Sequence, residues 1–163
     1  MNLIEKIGKI LKDQNCKLST AESCTAGYIS SLLTSIAGSS DYFEGSLVVY
    51  SNKAKISALG VEEELINEHT EVSAEVACRM AERVKEIMGT EYSIATTGYA
   101  DAGGFGTEKN PAGTIYVAIS TPDETISQRL ELSESRSRNI YLTTISALEM
   151  FIKSIESRQV VLP

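Results

Sequence analysis

The chain has 163 residues, 42% of them hydrophobic and 23% charged; this suits one compact domain spanning 1–163 that buries roughly two-thirds of its unfolded surface, and it excludes compositional disorder. Acids outnumber bases 22 to 15, a net charge of −7, and with no Lys/Arg cluster the surface repels polyphosphate chains, so nucleic acid is not an expected partner. No apolar run approaches the ~20 residues of a membrane span, the opening MNLIEKIGKILKD is too charged for a signal peptide, and Cys16, Cys24 and Cys78 form no Cys-x-x-Cys pair, which points to reduced thiols in the cytoplasm.

Leu3, Ile4, Ile7, Ile10 and Leu11 follow helical spacing and predict an opening amphipathic helix. KLSTAES predicts a strand running into a polar turn, and the next helix is expected from about Thr25 to Ala37, stopped by Gly38. SLVVYS (46–51) predicts a buried strand, and short helices follow at NKAKISAL and EEELINEH. Ser73 is placed to cap a long helix, AEVACRMAERVKEIM, with Glu75 in its positive first turn and Gly89 at its end. YSIATTG (92–98) and TIYVAIS (114–120) predict strands separated by a glycine-rich loop. ETISQRLEL predicts a fifth strand, hairpinned across Thr121-Pro122-Asp123, before a last helix from about Arg136 to Ser157. The tail RQVVLP is expected to be loose or docked on a neighbour. Strands and helices alternate first and a hairpin follows, which predicts a mixed sheet with helices on both faces.

Three polar segments carry the candidate chemistry. STAESCTAG (19–27) joins a strand to a helix, where hydroxyls and free N–H groups can meet an anion. Taken alone it reads first as a capped turn with Ser23 or Thr25 as the cap. The segment 37–55 holds Ser39, Ser40, Tyr50 and Lys55. A serine needs a base, and a buried lysine supplies one, with Tyr50 between them to relay a proton. Spacing alone favours a plainer reading, a helix stop and a solvated lysine. The loop TTGYADAGGFGTEKNPAGT (96–114) is longer than a connector needs to be, and its glycines let backbone N–H groups approach a phosphate or carboxylate. It matches neither the P-loop nor the dinucleotide fingerprint.

The single histidine, His69, argues against a His-based metal site or a Ser-His-Asp triad, and neither metal nor cofactor is expected. Cys24 is expected to be a buried structural thiol. Glu22 is either a charge partner within the first turn or a solvated side chain. Arg136 and Arg138 open the last helix, where cations oppose the helix dipole unless an anion joins them.

These segments resemble the CinA C-terminal family, also called competence/damage-inducible, from about Leu3 to Ile155. TAESCTAG (20–27) is similar to the family's TAESCTGG, IAGSSDYFEGSLVVYSNKAK (36–55) to its IAGSS…F…G…YSN..K block, and TTGYADAGG…KNPAGT to its SGIAGP.GG…KP.GT loop. The resemblance implies a three-layer α/β/α domain that hydrolyses the carboxamide of nicotinamide mononucleotide to the acid and ammonia, with a serine, a lysine and an assisting tyrosine. On matching positions these are Ser40, Lys55 and Tyr50. Ser23, Thr25, Gly27, Thr97, Gly98, Lys109, Gly113 and Arg136 would bind the nucleotide-like substrate. A homo-oligomer is expected from open strand edges and the apolar VVLP tail.

The chain also departs from the family pattern. Tyr99, Ala100, Asp101 and Ala102 stand where the family reads I-A-G-P, Asn110 is inserted between Lys and Pro, and Ile140 and Tyr141 occupy positions where relatives carry arginines. Asp101 brings like charge toward a phosphate unless Lys109 or Arg136 compensates. Two alternatives therefore stand beside the amidase: a non-catalytic nucleotide-like ligand-binding or regulatory domain, and an amidase for a different, less phosphorylated amide.

Overall fold

The computed structural model describes residues 2–159. A capping box opens α1 (Leu3–Asp13): Asn2 accepts from the Glu5 N–H while the Glu5 carboxylate reaches back to the Asn2 N–H. There follow β1 (Leu18–Glu22), α2 (Tyr28–Leu33), a 3₁₀ turn at Ser39–Asp41, β2 (Phe43–Val48), α3 (Asn52–Ser57), α4 (Glu63–His69) and α5 (Ala74–Met88). The chain continues through β3 (Tyr92–Gly98), β4 (Thr114–Ser120), β5 (Thr125–Glu131) and α6 (Arg136–Gln159). Arg158 and Gln159 of the expected tail complete α6, and residues 160–163 lie outside the described residues.

The five strands form one mixed sheet in the order β2-β1-β3-β4-β5. β1 runs parallel to β2 and β3, and β4 and β5 are antiparallel additions. The apolar core is divided by the sheet. On one face Leu18, Ile94, Val117 and Ile119 pack with α1, α2 and α6. On the other, Ala21, Ala95 and Ala118 pack with α5 and the segments before it. These three alanines are cross-strand neighbours on β1, β3 and β4, so they form a shallow row on which α5 lies. The architecture is α/β, a three-layer α/β/α sandwich with a mixed sheet. Among the described residues no helix is long and apolar enough to cross a membrane.

Two expected elements move. The second helix runs from Tyr28 to Leu33 and not from Thr25 to Ala37, because residues 23–27 form a turn with Ala26 at φ 49° and Gly27 at φ 93° and residues 34–38 are turns and bends leading into the 3₁₀ turn. The expected buried strand at 46–51 is β2, three residues earlier, set by its pairing with β1, and as an edge strand it is only partly buried. Tyr50 therefore lies beyond the strand and is 59% exposed.

Candidate active site

Strand alternation assigns the residues at the end of β1 to opposite faces. Leu18, Thr20 and Glu22 face α2, so Ser23, immediately after the strand, turns to the face of α3 and α5. β1 connects outward to β2 while its other neighbour, β3, connects outward to β4, so the connections part here and the carboxyl ends of β1 and β3 open a crevice of the kind in which α/β proteins bind ligands.

Glu22 fixes the turn that follows. Its carboxylate is fully buried and accepts from the N–H groups of Gly27 (2.9 Å), Ile29 (3.1 Å) and Ser30 (2.9 Å), and from the hydroxyls of Thr25 (2.7 Å) and Thr20 (3.3 Å). It thus satisfies the free donors at the start of α2 from the preceding strand. Neither Ser23 nor Thr25 caps that helix. Having donated to Glu22, the Thr25 hydroxyl accepts from Thr96 at 2.8 Å. Thr25 and Gly27 are therefore parts of the turn and do not line the cleft beside it.

On the other face, α3 brings Lys55 against the turn. Ser51 caps this short helix through the Ala54 N–H. Lys55 is 2% exposed, and its Nζ donates to Ser23 Oγ at 3.1 Å. Burial pushes the amine below its ordinary pKa, opposed by the charge of Glu71 and by Cys24. A hydroxyl beside a buried amine of lowered basicity can serve as a nucleophile with its base.

The pair opens into a cleft of about 360 Å³, also lined by Cys24, Tyr50–Asn52, Glu71, Val72, Thr97–Asp101, Phe105 and Arg136. Thr97 donates from its buried hydroxyl to the Glu71 carbonyl at 2.6 Å, and Tyr99 donates to the Glu71 carboxylate at 3.1 Å. Burial, with Glu71 second, pushes the Tyr99 phenol up to about 12. At the rim, Arg136 donates to the Tyr50 hydroxyl at 2.7 Å, tying the start of α6 to the loop before α3. Gly98 closes β3 where a Cβ would come within 2.6 Å of Ile115 Cα and Thr114 O.

Ser40 does not join this group. It lies in the 3₁₀ turn before β2, where its carbonyl accepts from Lys17 Nζ at 3.1 Å. Lys55 follows the other end of β2, a six-residue strand of roughly 20 Å at about 3.3 Å per residue. The pairing of Ser40 with Lys55 is thus replaced by that of Ser23 with Lys55. Tyr50 does not bridge serine and lysine, since its hydroxyl is bonded to Arg136. Lys109 is exposed and outside the cleft lining, and among the described residues it forms no ion pair with Asp101. Gly113 has φ 88°, and a Cβ there would meet Leu132 O at 1.9 Å, so its role is to close the loop onto β5.

The sequence reading did not single out Glu71. The anchoring role of Asn110 also went unseen: this buried residue donates to Val72 O at 2.7 Å and pins the long loop beside α5. Burial pushes the Cys24 thiol up to about 12, leaving it protonated beside Ser23. Among the described residues no group of His, Cys, Asp and Glu could hold a metal ion.

The model of the CinA C-terminal domain matches residues 1–155. The chain belongs to this family. It is 41% identical over 149 residues to a CinA-like protein of Flavobacterium psychrophilum, covering 91% of this chain and 35% of the relative. Likewise it is 41% identical over 152 residues to a putative competence-damage inducible protein of Moorella thermoacetica, covering 93% and 36%. The chain thus spans about a third of the length of the curated relatives it matches. Among solved structures, the competence/damage inducible protein CihA of Agrobacterium tumefaciens superposes with a TM-score of 0.89 at 31% identity, covering 94% of this chain and 93% of the other. These CinA matches agree with the layer order and mixed sheet described above.

Proposed function

We propose that this CinA domain is a metal-independent amidohydrolase that converts a carboxamide to a carboxylate and ammonia, with nicotinamide mononucleotide the substrate implied by its family resemblance. The observation that carries the reading is the 3.1 Å contact between Lys55 Nζ and Ser23 Oγ, both buried at the floor of the cleft.

Neutral Lys55 takes the Ser23 proton as Oγ bonds to the amide carbon. The carbonyl oxygen gains the charge and meets backbone N–H groups of the turn; those of Cys24 and Thr25 make no backbone–backbone hydrogen bond among the described residues. The C–N bond breaks as protonated Lys55 returns its proton to the departing nitrogen, giving ammonia and an acyl-serine. Water then adds to the ester, Lys55 takes one of its protons, and Ser23 leaves with that proton; the carboxylic acid so formed releases its own proton to solvent as the carboxylate. Tyr50 accepts from Arg136 and so keeps its own proton free for the substrate at the rim.

Ammonia release from nicotinamide mononucleotide tests the reading with three alanine variants. Ser23→Ala and Lys55→Ala should each lower kcat by about 10³-fold or more, and Ser40→Ala should stay within about twofold. Loss of turnover in Ser40→Ala together with an active Ser23→Ala would overturn the assignment.

A further inference from the structure

A strained backbone position stands beside the cleft, between α4 and α5. Thr70 has φ 68° and ψ 160°, a conformation that a β-branched residue avoids and that persists only where its surroundings over-determine it. Three successive carbonyls supply that constraint, each held by a side chain. Thr70 O accepts from Ser73 Oγ at 2.9 Å, Glu71 O from Thr97 Oγ1 at 2.6 Å, and Val72 O from Asn110 Nδ2 at 2.7 Å. The backbone of Glu71 is therefore fixed at the cleft wall. Its carboxylate, among the described residues, accepts one hydrogen bond, from Tyr99 Oη at 3.1 Å. The Tyr99 ring is steadied in turn, edge to face, by Phe105 at 5.3 Å.

Lys55 shares this cleft. Burial lowers its pKa and the charge of Glu71, next in size, opposes that. Yet among the described residues the two form no ion pair, and Lys55 donates to Ser23 instead. The other titratable groups of the lining do not stand in for Glu71: Cys24 is protonated, Arg136 donates to Tyr50, and Asp101 is exposed. On α4 and α5, His69 and Glu75 face each other at 3.6 Å and Arg79 is bound by Glu62. Glu22 is directed to the opposite face of the sheet and taken up by its own donors. We propose that Tyr99 is a positioning residue for the base: its hydroxyl holds the Glu71 carboxylate short of an ion pair with Lys55, which leaves the amine free for Ser23. This rests on the amidase reading only in taking Lys55 as the base. A carboxylate in contact would keep Lys55 an ammonium and compete with Ser23 Oγ for its protons. At a distance the same charge only offsets part of the effect of burial.

Ammonia release from nicotinamide mononucleotide across pH, for the parent, Tyr99→Phe, Glu71→Gln and the double variant, reads the tether. Tyr99→Phe keeps the ring and frees the carboxylate to reach Lys55. The acid limb of kcat/KM should then move up by about one pH unit or more, a loss of about tenfold at a fixed pH on that limb. Glu71→Gln should move the limb down, and in its background Tyr99→Phe should shift nothing. Urea unfolding across pH reads the same tether without substrate. Stability rises with pH above the folded Lys55 pKa, so the onset of the rise should move up in Tyr99→Phe and down in Glu71→Gln. Lys55→Met should erase both shifts, and below about pH 10 Tyr99 itself does not titrate. An unmoved limb and onset in Tyr99→Phe would overturn the proposal; so would an equal loss of turnover at every pH with or without Glu71. The predicted onsets in a parent that releases no ammonia would refute the amidase and leave the tether standing. Ammonia release with unmoved onsets would do the reverse.

Discussion

Replacing Glu22 by glutamine tests how the turn that carries Ser23 is held, because it preserves shape and removes only charge and acceptor capacity. Oε2 takes Thr25, Gly27 and Ile29, and Oε1 takes Ser30 and Thr20. A glutamine serves the larger group best by placing its carbonyl at Oε2, which aims its NH₂ at the Ser30 N–H. One backbone donor is then stranded at a cost of about 1–3 kcal/mol, and three charge-assisted bonds become neutral ones at about 1 kcal/mol each. Removing a buried charge relieves some desolvation, so the net loss is about 2–4 kcal/mol. For a chain of this size that lowers Tm by roughly 5–15 °C. Urea unfolding followed by circular dichroism gives the free energy directly, and ammonia release at a temperature where the variant is folded gives kcat. Ser23 directly follows Glu22, so kcat should fall with stability. A loss below about 1 kcal/mol with unchanged kcat would refute the anchoring role.

Three further outcomes follow from the same geometry. Lys55 has a lowered pKa in the folded chain, so the unfolded chain binds more protons between that value and about 10.4; parental stability should therefore rise with pH across that window. Lys55→Met should flatten this rise and raise Tm at neutral pH while abolishing turnover, and a steeper rise would contradict the burial argument. Cys24, pushed up to about 12, should escape alkylation by iodoacetamide in the native protein at pH 8, as read by peptide mass spectrometry. Gly98→Ala should cost about 2 kcal/mol in urea unfolding through overpacking, because its Cβ would meet Ile115 Cα and Thr114 O at 2.6 Å.

The parts of the molecule legible in the sequence are those determined locally. The bounds predicted for β3 and β4 are those observed, since each is a short apolar run ended by a turn. The Ser73 cap is likewise present, its Oγ accepting from the Val76 N–H at 3.2 Å. The start of α2 was misplaced because a carboxylate from the strand before it supplies the cap, and no cap residue at the usual position signals that. Glu71 drew no notice because its setting depends on Thr97 and Tyr99, 26 and 28 residues further along the chain.

The choice between Ser23 and Ser40 shows why motif content alone does not identify the serine that meets Lys55. Both serines sit in polar segments at strand ends, and Ser40 is closer to Lys55 in sequence. The sheet topology reverses that order. β1 and β2 are parallel, so residues that follow both strands meet at one edge of the sheet, and a residue that precedes β2 lies at the opposite edge. Ser23 follows β1 and Lys55 follows β2, whereas Ser40 precedes β2. Strand parity supplies the second condition, turning Ser23 toward α3 while Glu22 turns toward α2. A one-residue slip of β1 would exchange the two, presenting a carboxylate to Lys55 and a hydroxyl to the helix start. Such a register would bury an ion pair in place of a nucleophile and its base. The buried Glu22 anchor that excludes this slip is therefore as much a condition for the proposed reaction as the pair itself.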